Sequence, residues 1–328
     1  MRSAVRSTLS AAVGTALAFS GTVAIPAAAA PAAITCDSHA GGDSGFYNGD
    51  SAGKVYNGKF GQGPGIPGLG SYVPQGLTTW NDWDGGKDLL LITEYGPDGK
   101  HARIYGVDPA TGERVGTVAI AESHVGGIAV ARGWVFVSGR QAGDGGHTIR
   151  KYKATDVAKA LKADNGEVLA QTGEARKVYG SSFLTSDGNT LYSGKFNDSG
   201  RDSMYAYAVA ADGTLTTGTK YEVPTKTQGL SVADGHFFYS TSYGRQNRSN
   251  IYVVDKGATD IDKASTKCFR APSMAEGITD HDGTTYLLFE SGADTYAQTG
   301  CSEGDFDPCT RNVIQNLHTA STASLPKF

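Results

Sequence analysis

The chain has 328 residues, of which 45 are glycine, 19 % are charged and 9 % are aromatic. Glycine is about twice as frequent as its usual ~7 %, which excludes a helical bundle rich in Ala, Glu, Lys and Leu. The formal net charge is −4 and no cluster of Lys and Arg occurs, so we expect neither a nucleic-acid partner nor an anionic membrane surface. This composition favours many short strands joined by tight turns.

Residues 1–33 have the pattern of a secretory signal peptide. Arg2 and Arg6 precede an apolar run over 11–25, and small residues fill 26–33. We therefore expect a secreted, extracellular protein from which this segment is cleaved. Removal of residues 1–32 takes away two Arg and no acid, which leaves 27 basic against 33 acidic residues and a net charge of −6. No later stretch reaches 18 apolar residues, so no membrane span is predicted.

Five segments of the chain share one pattern: a triplet of small and apolar residues opens a strand, a tight turn follows, and a second apolar strand returns. The triplets begin at Gln75, Gly126, Ser181, Gln228 and Glu276, and their second residues lie 47 to 55 positions apart. Four short antiparallel strands in each period of about 40–50 residues are typical of a β-propeller blade. We predict an all-β fold, a β-propeller of five blades over 75–328, with a sixth blade built from 36–70 as the alternative.

The sequence also predicts the turns, one helix and the closing strand of this propeller. Pairs such as Asp234-Gly235 and Asp282-Gly283 stand between the first two strands of a repeat, where a tight hairpin needs positive φ. Inside the second repeat we expect a helix over 156–163, capped by Thr155. In the N-terminal segment 34–74, we expect residues 54–60 to close the ring as the outer strand of the last blade.

The cysteines number four, and an even number in an exported protein indicates two disulfides. They are Cys36, Cys268, Cys301 and Cys309. Three pairings are possible. Their closeness in sequence favours a local Cys301–Cys309 bond. Ring closure favours Cys36–Cys268, because it places the N-terminal segment beside the outer strand of the fourth repeat.

A candidate site follows from propeller geometry, which puts the start of each first strand and the end of each second strand on one face, with the long loops. Rigidly held long loops are common binding sites. At these positions most repeats have small residues, neutral residues or hydroxyls, but the fifth repeat has Glu276 and Glu290. We predict that these carboxylates share the axial mouth, with Glu94 across the ring. Such a pair suits catalytic acid/base work, or it suits metal binding, calcium above all.

Aromatic residues follow several second strands, where they suit stacking on a sugar or an apolar ligand. Polar residues of the same face complete the set. The candidate ligand-binding residues are Gln75, Glu94, Tyr95, His124, Arg140, Lys195, Phe196, Gln228 and Tyr243. The chain has no GxSxG, HExxH or P-loop signature, which disfavours α/β-hydrolase, zincin and P-loop chemistry.

The Gln-Gly-Leu and Glu-Gly-Ile triplets and the Asp-Gly turns resemble those of secreted propellers of the SMP-30/gluconolactonase-like and strictosidine-synthase-like superfamily. The resemblance covers about residues 75–320. In the lactonase branch, a Glu that opens a blade holds an axial calcium together with Asn and Asp residues of other blades. The resemblance therefore implies a calcium-binding role for Glu276.

Two functions are consistent with these features. The first is a secreted, monomeric binding module that recognises a carbohydrate, a peptide, another small molecule or a partner protein on the long-loop face. The alternative is a secreted propeller hydrolase that acts on a lactone, ester or glycoside with Glu276 and Glu290. The convergence of both carboxyl groups on an open pocket distinguishes the second function from the first.

Overall fold

The structure, a computed structural model, describes residues 34–42, 49–139, 146–297 and 309–328. The described residues belong to one compact unit, Ala33–Phe328. The predicted signal peptide, residues 1–33, lies outside the described residues. Within the described ranges, no helix is long and apolar enough to cross a membrane.

The N-terminal segment before the repeats contains three short strands and a helix. They are β1 (Ala40–Gly42), β2 (Gly49–Gly53), α1 (Lys54–Asn57) and β3 (Gly61–Gly65).

The five repeats form five blades of four antiparallel strands each, so the predicted five-bladed β-propeller is confirmed. The first blade contains β4 (Val73–Trp80), β5 (Leu89–Tyr95), β6 (Ala102–Val107) and β7 (Arg114–Ile120). The second blade and the segment inserted in it contain β8 (Ile128–Ala131), β9 (Trp134–Ser138), β10 (His147–Lys153), α2 (Ala154–Ala163), β11 (Val168–Leu169) and β12 (Arg176–Val178). In that blade β12 is the outer strand, whereas β11 pairs in parallel with β7 of the first blade.

The remaining blades follow the same order. The third blade contains β13 (Phe183–Asp187), β14 (Thr190–Gly194), β15 (Asp202–Val209) and β16 (Leu215–Val223). The fourth contains β17 (Thr227–Ala233), β18 (His236–Thr241), β19 (Ser249–Asp255) and β20 (Thr266–Ala271). The fifth contains β21 (Ala275–His281), β22 (Thr284–Phe289) and β23 (Asn316–Ser321), with β3 as its outer strand.

The hairpins between first and second strands depend on left-handed turn residues. Asp234 and Gly235 have φ of 46° and 75°, and Asp282 and Gly283 have φ of 47° and 74°. Two consecutive residues with positive φ make the turn whose twist matches that of the flanking strands. The predicted Asp-Gly turns are thus confirmed at these two positions.

The innermost strands of neighbouring blades approach backbone to backbone at the glycines of the triplets. A Cβ atom on Gly127 would lie 2.2 Å from the backbone nitrogen of Leu184 in the third blade. A Cβ atom on Gly277 would lie 2.6 Å from the backbone nitrogen of Leu77 in the first blade. Atoms of a real side chain do not approach a backbone so closely, so these positions require glycine. The repeated triplet is therefore the contact that sets the spacing of the blades around the axis.

The ring is closed by β3, which pairs antiparallel with β23. The prediction that residues 54–60 form this strand is wrong. Lys54–Asn57 form α1, and the ring of Tyr56 stacks on that of Phe60 in the core shared by the fourth and fifth blades. The true closing strand needs glycine, because a Cβ atom on Gly63 would lie 2.9 Å from the carbonyl oxygen of Leu317. A sixth blade from 36–70 is also wrong, since β1 and β2 form only a two-stranded sheet.

Helix α2 lies between β10 and β12, in the predicted place, and buries Val157 and Leu161 in the core shared by the first and second blades. The predicted cap is wrong. The helix begins at Ala154, so Lys153 occupies the N-cap position, and no side chain caps the helix there.

The disulfide between Cys36 and Cys268 is present, which confirms that prediction. It attaches the N-terminal segment to β20, where Asp37 also makes a parallel bridge with Phe269. The bond closes a sequence separation of 232 residues, so it strongly restricts the unfolded chain. Cys301 lies outside the described residues, so the Cys301–Cys309 pairing stays a prediction.

We expect Gly127→Ala to destabilise the propeller by about 1–3 kcal/mol, the usual cost of forcing extra volume into a packed interior. The matched control is Gly200→Ala, because a Cβ atom there would meet nothing within 4 Å. Urea unfolding followed by tryptophan fluorescence measures both changes. Equal stability of the two variants would contradict the role assigned to the axial glycine.

Candidate functional site

A cavity of about 780 Å³ occupies the axial mouth on the face that the sequence predicted. It receives residues from all five blades. Six of the nine predicted ligand-binding residues line it, together with Glu290: Gln75, Tyr95, His124, Phe196, Gln228 and Tyr243.

Three predicted residues are not placed in this cavity. Glu94 is fully buried on β5 and lies against Gly68, where an added Cβ would be 2.0 Å from its Oε2. Successive side chains of a strand point to opposite faces, so Glu94 faces away from the direction taken by Thr93 and Tyr95. Lys195 does not line the cavity, and Arg140 lies outside the described residues.

Burial also determines the charge of Glu94. Neither of its carboxylate oxygens has a hydrogen-bond partner among the described residues. Desolvation raises the pKa of Glu94 to about 9, although the nearby Arg103 guanidinium opposes the shift. Glu94 is therefore a neutral carboxylic acid at pH 7 and does not add charge to the axial mouth.

Glu276 and Glu290 bring two carboxyl groups together at the cavity. Glu290 lines the cavity, and its Oε2 accepts a hydrogen bond of 2.9 Å from Nε2 of Gln75. Glu276 is buried next to it with 1 % of its surface exposed, and its Oε1 has no hydrogen-bond partner in the described part of the chain. The structure thus brings the two predicted carboxyl groups together, with only one of them open to the cavity.

The two carboxyl groups differ in their affinity for a proton. Burial, and then the charge of Glu290, raise the pKa of Glu276 well above its ordinary value. Burial raises the pKa of Glu290 to about 7, while the hydrogen bond from Gln75 and the charge of Arg245 act in the opposite direction. At pH 7 Glu290 is divided between its neutral and ionised forms, and Glu276 binds its proton more tightly than an ordinary glutamate does.

The position of Glu290 explains why it faces the cavity. In the first blade, the equivalent Thr93 donates its hydroxyl to the carbonyl of Val125 at 2.8 Å. In the fourth blade, the hydroxyl of Ser240 donates to the carbonyl of Glu276. These two hydroxyls each connect their blade to the next one. Glu290 is instead the first residue of a one-turn 3₁₀-helix, and its longer side chain reaches Gln75.

An aromatic wall lies beside the carboxyl pair. The ring of Tyr95 stacks on that of His124 with centroids 4.6 Å apart, and its hydroxyl lies 2.9 Å from the hydroxyl of Tyr296. Phe196 and Tyr243 form a second pair, with centroids 6.2 Å apart. Burial lowers the pKa of His124, so its imidazole is neutral at pH 7. The cavity therefore offers ring surfaces and hydroxyl groups close to the carboxyl of Glu290.

Further residues line the cavity that the sequence analysis did not select. They include Asp98, Glu122, Ser123, His147, Ser182 and Tyr296. Tyr296 belongs to the long segment after β22, and the Arg245 guanidinium lies 4.7 Å from its ring centre. In the sequence, only the length of this segment indicated that it contributes to the site. No local pattern predicts the contact between Tyr296 and Tyr95.

The carboxyl pair supplies only part of a calcium site. Calcium takes six to eight oxygen ligands. Among the described residues, no third Asp, Glu, His or Cys forms a ligand group with Glu276 and Glu290, so main-chain oxygens and water would have to complete the shell. Calcium binding by this pair stays a prediction.

The chain is similar to known proteins only in comparisons with solved structures. No family model and no curated protein matches the chain, so the SMP-30-like resemblance has no support beyond the propeller itself. A glutaminyl cyclase of Myxococcus xanthus has 10 % identity and a TM-score of 0.47, over 70 % of this chain and 91 % of that one. A chain of a nidogen/laminin complex has 12 % identity and a TM-score of 0.38, over 71 % and 85 %.

A third similar structure is a hydrazine synthase of Kuenenia stuttgartiensis, with 10 % identity and a TM-score of 0.36. That match covers 70 % of this chain and 58 % of the other. At such low identities and TM-scores, these similarities carry no conclusion about ligand or reaction.

The raised pKa of Glu290 predicts a pH dependence of stability. The folded protein keeps this proton up to about pH 7, whereas the unfolded chain releases it near the ordinary value of 4.5. The folded state thus binds more protons between these values, and the free energy of unfolding decreases as the pH rises through that window. Urea unfolding at pH 5 and pH 8 should show a smaller decrease for Glu290→Gln than for the unmodified protein. An identical decrease in both proteins would contradict the shifted pKa.

Proposed function

We propose that the protein is a secreted binding module that takes a carbohydrate, a short peptide or a similar small molecule into the axial cavity. The observation that carries the proposal is a cavity of about 780 Å³ with aromatic rings next to Glu290. Ligand sites commonly have volumes of about 300–1,000 Å³ and combine ring surfaces with a few polar groups. The Cys36–Cys268 bond fits an oxidising, extracellular compartment.

The chemistry of the cavity suggests how a ligand binds. The hydrogen bond from Gln75 fixes Oε2 of Glu290, so the carboxyl keeps a defined orientation and can accept a hydrogen bond from a ligand hydroxyl or N–H group. Phe196 and Tyr243 offer ring faces to an apolar or flat part of the same ligand. A molecule that combines both features is expected to bind best.

Ligand-detected NMR with a library of mono- and disaccharides and di- and tripeptides tests this function. We expect at least one compound to bind, and we expect Glu290→Gln and Phe196→Ala each to weaken it at least tenfold, which is about 1.4 kcal/mol. The matched control is Asp187→Asn, because Asp187 pairs with Lys256 at a turn between first and second strands, away from the cavity. Binding that survives both cavity variants would contradict the proposal.

We propose acid/base hydrolysis as a second candidate function, because Glu290 has a pKa of about 7 and faces an open cavity. A general base works best when its pKa is close to the working pH. In this scheme ionised Glu290 takes a proton from water as the water attacks an ester or lactone carbonyl, and then returns it to the departing alkoxide. Glu276 does not line the cavity, so in this scheme it acts only by raising the proton affinity of the neighbouring Glu290.

Hydrolysis of p-nitrophenyl esters, p-nitrophenyl glycosides and simple lactones tests this second function. We expect the rate for the accepted class to rise through about pH 7. Glu290→Gln should lower it by about 10²–10⁴-fold, the usual contribution of a general base. Gln228→Ala is the control, because this residue lines the same cavity without an ionisable group. Unchanged activity in Glu290→Gln would exclude the base assigned here.

A further inference from the structure

A second group of ionisable side chains lies far from the axial cavity, at the turns that join first and second strands. His281 and Asp282 come from the turn between β21 and β22, and Asp88 precedes β5 of the first blade. The Nε2 atom of His281 lies 3.8 Å from Oδ2 of Asp88 and 4.0 Å from Oδ2 of Asp282. All three donor atoms lie within 4.8 Å of one another.

Among the described residues, His281 is the one basic side chain beside Asp88 and Asp282. Neither Asp88 nor Asp282 has a Lys or Arg within ion-pair distance in the part of the chain that the structure describes. The separations from His281 are also longer than a hydrogen bond. Two carboxylates therefore face one imidazole nitrogen without a direct contact.

The surroundings orient the Asp88 carboxylate and bury one nitrogen of the His281 ring. Oδ1 of Asp88 accepts the main-chain N–H of Asp82 at 2.8 Å, so Oδ2 is left to face His281. Nδ1 of His281 is buried without a hydrogen-bond partner among the described residues, so Nε2 is the ring nitrogen open to a ligand. Hydrogen bonding of the outer carboxylate oxygen is the usual support for a metal-binding carboxylate.

We propose that Asp88, His281 and Asp282 bind a divalent transition-metal ion of the zinc class. One imidazole nitrogen and two carboxylate oxygens form a mixed set that zinc accepts, whereas calcium and magnesium prefer oxygen alone. Metal–donor bonds of about 2.0–2.2 Å bring tetrahedral donors to roughly 3.3–3.5 Å from each other. Both separations from His281 must therefore shorten by about half an ångström. Asp282 can move because 83 % of its side chain is exposed, and the separation from Asp88 shortens by a small rotation of the Asp88 or His281 side chain.

The proposed ion would join the two ends of the ring. Asp88 belongs to the first blade and His281 to the fifth, and these blades are already connected nearby by a 2.8 Å hydrogen bond from Thr79 Oγ1 to the carbonyl of Asp280. The unfolded chain does not hold residues 88 and 281 together. Binding therefore favours the folded state by mass action and raises its thermal midpoint.

The chain offers a matched control for this site. Nε2 of His236 lies 3.8 Å from Oδ1 of Asp255, the same separation as in the His281–Asp88 pair. Both histidines adjoin an Asp-Gly turn between a first and a second strand, His236 directly after its turn and His281 directly before its own. Within the described residues it has no second carboxylate in a ligand group. A surface histidine that binds zinc without selectivity would behave alike at both places.

The test uses the untagged, EDTA-treated protein with zinc chloride and cobalt chloride, followed by calorimetry, thermal unfolding and the visible absorption of cobalt. We expect one equivalent of zinc to bind and to raise the thermal midpoint. His281→Gln and Asp282→Asn should each weaken binding at least tenfold, and His236→Gln should leave it unchanged. Asp282 is exposed, so its variant folds even if the His281 variant does not.

Two results would overturn the proposal. One is the absence of stoichiometric binding of zinc and cobalt at millimolar concentration. The other is equal weakening by His236→Gln and His281→Gln, which would assign the zinc to unselective surface histidines. The axial cavity takes no part in this test, so its outcome is independent of the function proposed for Glu290.

Discussion

The contact between the innermost strands of neighbouring blades is the interaction on which the rest of the propeller depends. At Gly229 a Cβ atom would lie 2.4 Å from the carbonyl oxygen of Glu276, and the hydroxyl of Ser240 donates to the same carbonyl. Contacts with Gly229 and Ser240 of the fourth blade thus hold the backbone of Glu276 in place. Because the innermost strands are this close, their first residues surround the axis. The axial cavity lies between these residues and the long loops of the same face.

The chemistry of the site arises from one departure from this regular pattern. In most blades a small or hydroxyl residue stands where the second strand ends. In the first, third and fourth blades, its hydroxyl donates a hydrogen bond to a main-chain carbonyl. The fifth blade places Glu290 there, beside the buried Glu276. Two buried carboxyl groups side by side ionise less readily than isolated ones, so the fold raises the pKa of both and leaves Glu290 sensitive to pH near neutrality.

The sequence predicted the features that depend on local patterns. The repeat of triplets and turns indicated five blades, and the topology of closure indicated the Cys36–Cys268 bond. The closing strand β3 was missed because its Gly-Pro sequence has no alternation of polar and apolar side chains. Glu94 was assigned to the cavity because a strand's facing direction depends on register, which one sequence does not define. The proximity of Asp88 and His281 depends on ring closure, so no local sequence pattern predicts it.

Ring closure also imposes an order on the making of the molecule. Strand β3 is synthesised before all five repeats, yet its partner β23 belongs to the last of them. The early strand must therefore wait with its hydrogen-bonding groups unpaired until the fifth blade is complete. Cys268 precedes β23 in the chain, so its bond with Cys36 can form before closure is possible. This covalent bond would hold the waiting segment against β20, next to the place where it is finally needed.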